Sequence, residues 1–379
     1  MRLEIAGAGT LAVWIYLMLC RGGFWREFLN ANQAGARRET GPRPRVAAVV
    51  PARNEAAVVG RSIASLAGQD YRGAFRVVLV DDASTDGTAE AARSAAAPSL
   101  LTVIRAAPLP AGWSGKLWAI SEGIREADGF EPEYLWLTDA DIVHPAGSLD
   151  VLTARAESDG YDLVSAMATL SCRTPAERAL IPAFVFFFFL LYPPAWIRSS
   201  RHTMAGAAGG CILIRRSMLD RIGGVAAIRG ELIDDCALAR SVKRHGGRVW
   251  LGLGATTESI REYATFGEIG SMISRTAFTQ LHHSVPVLLG ALAGLAFAFL
   301  APPLLTIAAP QPAAGMGALA WLLMSIAYFP ALRFYRCPWY WAPLLPLAAA
   351  FYSGATLHSA LAYWRGAGGV WKGRAQDAA

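Results

Sequence analysis

The stretch Leu135-Trp136-Leu137-Thr138-Asp139-Ala140-Asp141-Ile142 runs an apolar segment directly into two carboxylates one residue apart. It reads as a buried strand that ends in acidic residues. Such a strand presents its acids at the carboxyl edge of a sheet, where open α/β folds bind ligands. Two carboxylates spaced i, i+2 at that edge can hold a hard divalent cation, or divide the work between a metal and ligand hydroxyls. The plainer reading is one solvated Asp and one helix cap. What surrounds the pair decides between them.

Outward from this stretch, residues 46–50 and 76–80 are continuous apolar runs of the kind found in buried parallel strands. Residues 56–67 and 88–96 have helical composition, and 100–104, 134–137 and 162–168 look like further strands. The alternation predicts a doubly wound α/β sheet within 43–283. Polar clusters end the strands. Pro51, Asn54 and Glu55 follow the first, where a capped helix offers backbone N–H groups to a nucleotide. Asp81-Asp82 ends the second, and an acid there can hydrogen-bond a base or ribose hydroxyl. Asp86-Gly87 just beyond is an ordinary turn signal.

Gly112-Trp113-Ser114-Gly115-Lys116 opens a helix shortly before Asp139. It is not a Walker A loop, because Pro110 stands where the first glycine would be. A lysine at a helix start suits a phosphate or a base carbonyl, and a solvated lysine is the plain alternative. Asp234-Asp235 begins another helix: one carboxylate fits an N-cap, the other a general base whose pKa a neighbouring charge would raise. A small-residue loop, Ala205-Gly206-Ala207-Ala208-Gly209-Gly210, allows close backbone approach to a sugar or diphosphate.

Hydrophobic residues make up 54% of the 379 residues and charged residues only 17%, with mean hydropathy +0.33. That is too apolar for two soluble domains, so part of the chain is expected in a bilayer. Residues 1–22 read as a membrane anchor; Arg21, Arg26, Arg37 and Arg38 put its C-terminal end in the cytoplasm. Its Gly7-Ala8-Gly9 formally fits a dinucleotide fingerprint, but an apolar helical run follows instead of a βαβ unit. Residues 285–332 contain no Asp, Glu, Lys or Arg, and Pro310-Gln311-Pro312 with Gly315 divides them into two spans. A third apolar stretch covers 339–364, so two to three C-terminal transmembrane helices are expected in 285–364, before a polar tail at 365–379. Strict alternation would leave the tail's Arg365, Lys372 and Arg374 outside, against the positive-inside tendency. Either 339–364, with Pro343 and Pro346, is a re-entrant hairpin or the rule is broken.

Within the α/β region, residues 179–197 are uncharged and contain Phe186-Phe187-Phe188-Phe189. Pro182, Pro193 and Pro194 interrupt them, which favours an interfacial or re-entrant segment over a span; a buried core helix is the plain alternative. The net charge of +6 fits an anionic membrane surface. No dense Lys/Arg stripe interleaved with aromatics supports nucleic-acid binding. The spans carry no buried charge of the sort a transporter uses. Five scattered cysteines without a C-x-x-C pair read as reduced thiols of a cytosol-facing protein.

Together the clusters resemble the inverting family 2 glycosyltransferases of the GT-A fold. The likeness rests on Pro51/Asn54/Glu55, Asp81-Asp82, Asp139-x-Asp141, Gly209/Gly210 and Asp234-Asp235-x-x-Leu238, and covers 45–283. It implies that Asp82 contacts the uracil of a UDP-sugar and Asp139 its ribose. Asp141, with Asp139, would hold Mg2+ or Mn2+ on the diphosphate, and Asp235 would deprotonate the acceptor. Asp234 stands where the family has Glu. Lys116 and the two glycines would line the donor, and Arg275 would either neutralise the leaving diphosphate or lie at the membrane surface. An anchor plus C-terminal spans is similar to lipid-directed members such as the ceramide glucosyltransferases. Residues 112–119 and 275–281 look like the bacterial hopanoid-biosynthesis-associated enzymes. The resemblance therefore implies a multi-pass protein of the bacterial inner membrane, its catalytic domain in the cytoplasm, moving one sugar from a nucleotide-sugar to a lipid acceptor. The alternatives are a processive polysaccharide synthase, against which the missing Q-x-x-R-W argues, and a non-catalytic nucleotide-sugar-binding scaffold. Oligomeric state is not legible.

Overall fold

The computed structural model describes residues 1–30, 43–366, 370–371 and 374–375; Arg37, Arg38 and Lys372 lie outside them. The chain forms two compact units. One takes the described residues from Arg43 to Leu170 together with Trp196–Arg261. The other takes Met1–Asn30, Ser171–Ala195 and the chain from Glu262 through the last apolar helix.

The first unit carries an eight-stranded sheet of order β3-β2-β1-β4-β7-β6-β8-β5. Its strands are β1 (Val46–Ala52), β2 (Phe75–Asp81), β3 (Leu101–Arg105), β4 (Tyr134–Thr138), β5 (Ile142–Val143), β6 (Leu163–Thr169), β7 (Cys211–Arg215) and β8 (Val249–Ser259). Every residue of β1 and β4 is buried, which explains their unbroken apolar runs. β3, β2, β1 and β4 are mutually parallel, as the alternation with helices requires. β7 runs antiparallel between β4 and β6, so the far half of the sheet is mixed. β8 drew no expectation, since Gly252 and Gly254 interrupt its apolar pattern. The chain steps from β1 outward to β3 and then returns to place β4 on the other side of β1. That reversal opens a crevice between the carboxyl ends of β1 and β4, and Asp139 and Asp141 leave β4 there.

Among the described residues, five helical stretches are long and apolar enough to cross a membrane: Arg2–Leu19, Pro175–Arg198, Val285–Ala308, Ala313–Phe334 and Trp339–Trp364. All but the last few residues of the second belong to the second unit. Arg2–Leu19 and Ala313–Phe334 lie side by side in the same direction. A Cβ on Gly7 would meet the Ala313 carbonyl at 3.2 Å, and beyond the other ends Phe28 packs edge-on to Phe334. Arg21 and Arg26 therefore share one end with Arg333 and Arg336. Val285–Ala308 runs the opposite way, with Gly317 against Pro302 and Leu305 and the Trp14 indole donating to the Ala298 carbonyl at 2.7 Å.

The stretch Trp339–Trp364 does not repeat this pattern. The Trp321 indole, well inside Ala313–Phe334, donates to the Pro343 carbonyl at 2.9 Å. From that depth Leu345–Trp364 returns, Ser359 Oγ accepting the Phe278 N–H at 3.0 Å and Tyr363 stacking on His283. Phe278 and His283 immediately precede Val285, so the helix ends at the arginine-bearing end.

The apolar run at 179–197 is not one helix. Pro175–Leu191 starts at a Thr174/Glu177 capping box and stops at Tyr192, before Pro193-Pro194. Phe186 packs on Phe24 and Tyr328, and Phe187 on Phe299 and Tyr352.

Candidate active site

Lys116 is the second residue of the helix Gly115–Ala127, whose cap, Ser114 Oγ, accepts the Leu117 N–H at 3.4 Å. Its Nζ lies 3.0 Å from Asp139 Oδ1 and 3.2 Å from Asp234 Oδ2. Asp234 and Asp235 are the first two residues of the helix Asp234–Arg244. Neither is its N-cap, a place Ile233 holds, which corrects the capping expectation. Asp235 Oδ1 accepts the Cys236 N–H at 2.7 Å and Oδ2 the Gly209 N–H at 2.8 Å. A Cβ on Gly209 would sit 3.2 Å from Lys116 Nζ and 3.3 Å from Asp235 Oδ2, so only glycine brings its amide this close without displacing either group. These side chains and Pro51 line one cleft.

Charge and burial set the protonation of the cluster. Burial and the Asp234 charge push Asp235 up to about 6, against the attraction of Lys116. Burial also raises Asp139. Burial alone would weaken the Lys116 ammonium, but Asp139, Asp234 and Asp235 outweigh it and keep the lysine charged. Three carboxylates around one ammonium leave the cleft negative, a setting for a cation.

Asp141 faces a different partner. Arg261, which the sequence reading passed over, places Nε 2.7 Å from Asp141 Oδ2 and Nη2 2.6 Å from Glu55 Oε1. Backbone pairing puts it there: β5 runs antiparallel to β8 with Ile142 opposite Ser259, and the Ile260 N–H donates to the Asp141 carbonyl at 2.9 Å. Asp141 Oδ1 has no hydrogen bond among the described residues, and Asp139 stands two positions away. A divalent cation carried by a diphosphate takes one or two protein carboxylates and fills its remaining sites with phosphate oxygens and water. Asp141 and Asp139 fit that demand.

The other residues singled out lie mostly at the same sheet edge. Asn54 holds the turn after β1 at φ 52°, its Oδ1 accepting the Thr85 N–H at 3.0 Å. Asp82 is buried 3.5 Å from Arg53 Nη1. The Gly210 carbonyl accepts the Thr138 hydroxyl at 2.9 Å. Asp86 does more than mark a turn: its Oδ2 accepts the Ala56 N–H and its Oδ1 the Thr88 N–H, tying together the starts of two helices. Arg275 belongs to the other unit, where it is an exposed residue ending the helix Phe266–Ser274.

Residues 47–223 match the family described as Glycosyl transferase family 2. Comparison with curated proteins finds no match. Among solved structures, the mannosyltransferase PcManGT from Pyrobaculum calidifontis, in complex with GDP-Man and Mn2+, is 21% identical. The match covers 91% of this chain and 98% of that one, with a TM-score of 0.55. S. aureus TarS residues 1–349, in complex with UDP, are 16% identical over 85% of this chain and 92% of that one, at a TM-score of 0.38 that is too loose to bear on the argument. Sheet order, crevice and family match agree: this is a membrane-associated glycosyltransferase with a GT-A-like doubly wound sheet, in which residues 47–223 match the family 2 model.

Proposed function

We propose that the protein transfers a single sugar from a UDP-sugar to the hydroxyl of a lipid, with inversion at the anomeric carbon and Asp235 as the general base. The observation that carries this reading is the setting of Asp235. Two backbone N–H groups aim its carboxylate, and its pKa lies at about 6, low enough to be ionised at neutral pH and high enough to accept a proton. Asp235 takes the proton as the acceptor oxygen attacks the anomeric carbon from the face opposite the diphosphate. Lys116 keeps Asp139 and Asp234 in place beside it. Asp141, with Asp139, would hold a divalent cation, which when bound supplies positive charge against the departing phosphate. Asp82, at the end of β2, is the proposed contact to the base, and Asn54, Glu55 and Gly210 shape the same edge.

The five apolar helices support a lipid acceptor, and the resemblance of 112–119 and 275–281 supports one of hopanoid type. Because the mannosyltransferase holds GDP-Man, both bases belong in the assay. The reconstituted protein is incubated with UDP-sugars or GDP-mannose and lipid extract. One sugar per lipid is the expected product. A ladder of long products would favour a processive synthase, and donor binding without product a scaffold.

The catalytic unit is proposed to face the cytoplasm of a bacterial cell. Because Leu345–Trp364 returns to the end that carries Arg333, the tail beyond Trp364 is expected on that same side. Cysteine substituted at Arg365 should resist a membrane-impermeant thiol reagent in sealed cells and react after lysis. Labelling in intact cells would require a full fourth span.

A further inference from the structure

We propose that Arg261 is a positioning residue that holds Asp141 until a diphosphate arrives, so that metal and nucleotide enter the site together. This rests on the reading of Asp141 as a metal ligand. The guanidinium bridges two carboxylates that leave different strands, Nε to Asp141 at 2.7 Å and Nη2 to Glu55 at 2.6 Å. The acids are largely shielded from water, with 14% and 11% of their side-chain surface exposed, so the pairs hold more firmly than surface ones. The β5–β8 pairing fixes the backbone on both sides, and no loop motion is needed to keep the contact.

The electrostatic consequence is direct. A free divalent cation meets an Asp141 whose charge is already matched, and its approach sets two positive groups against each other. A diphosphate changes the balance. Its oxygens give the guanidinium a further anionic partner and give the cation most of its ligands. Asp141 can then be shared or released without leaving either charge unmatched. Metal affinity and diphosphate affinity become coupled, each strengthening the other by the same factor.

The test is calorimetric titration of the full chain in detergent with Mn2+ alone, with UDP alone, and with Mn2+ in the presence of saturating UDP. Wild type should bind Mn2+ alone weakly and tighten on the order of tenfold or more when UDP is present. Arg261→Gln should bind Mn2+ alone on the order of tenfold tighter than wild type, with the coupling to UDP largely lost. Arg261→Lys, which keeps the charge but cannot span both acids, should fall between them, and serves alone if the glutamine variant does not fold. Unchanged affinity for Mn2+ alone in the variants overturns the proposal. Asp141→Ala separates the two layers. If it binds Mn2+ with UDP as wild type does, the reading of Asp141 itself fails; if it loses that binding while the Arg261 variants are unchanged, only the role given to Arg261 fails.

Discussion

Asp235→Asn is expected to lower the rate of sugar transfer by about 10²–10⁴-fold, the usual contribution of a positioned general base. Donor affinity should stay within about threefold of wild type, since the asparagine keeps an oxygen for the Gly209 or Cys236 amide. The fold should not suffer. Asp235 has a raised pKa, so its ionised form is disfavoured in the folded chain, and stability from this group is greatest at low pH and lost as pH rises through about 6. Removing the charge relieves its repulsion with Asp234, so the variant should melt no lower than wild type at neutral pH. The same shift sets the acid limb of the rate profile: kcat/KM should rise with pH through about 6 and level off as Asp235 ionises. Turnover that survives in the asparagine variant, with the acid limb intact, would assign the base elsewhere.

Asp141→Ala carries the second large effect. It removes the proposed metal ligand and breaks its ion pair with Arg261, while the pair between Arg261 and Glu55 remains. Metal-dependent binding of UDP-sugar should be lost, with affinity falling on the order of 100-fold or more, while weaker metal-independent binding through the base contact persists. Equilibrium titration with and without Mn2+ reads both components. Wild-type affinity and wild-type metal dependence in the variant would contradict the assignment. Asp139→Ala should behave differently, because Asp139 pairs with Lys116 and not with Arg261. Its loss should weaken donor binding whether or not metal is present.

The sheet edge was readable because its chemistry is local. An apolar strand followed by Asp139 and Asp141 needs only adjacent residues to place both acids, and β1 and β2 repeat the logic with Glu55 and Asp82. Lys116 and Asp235 were readable as helix-start residues, although the structure moves the cap from the aspartates to Ile233. Arg261 was not readable. It lies 120 residues from Asp141 in the chain, and nothing in its surroundings marks a lone arginine as a partner until β5 pairs with β8. Asp86 looked like half of a turn dipeptide, and its bonds to two helix starts depend on β1 and β2 lying side by side. In the helical unit, composition and proline spacing marked the apolar stretches. The point from which Leu345–Trp364 returns was hidden, because a contact partway along a helix, such as Trp321 to Pro343, leaves no trace in hydropathy.

The central claim is single-sugar transfer to a lipid, and intact-lipid mass spectrometry tests it most directly. Lipid extracts are compared from cells lacking the chain, cells restored with wild type and cells restored with Asp235→Asn. The account predicts one glycosylated lipid class, heavier than its acceptor by a single sugar, that disappears without the chain and returns only with wild type. An identical lipid profile in all three, or restoration by the asparagine variant, would contradict it.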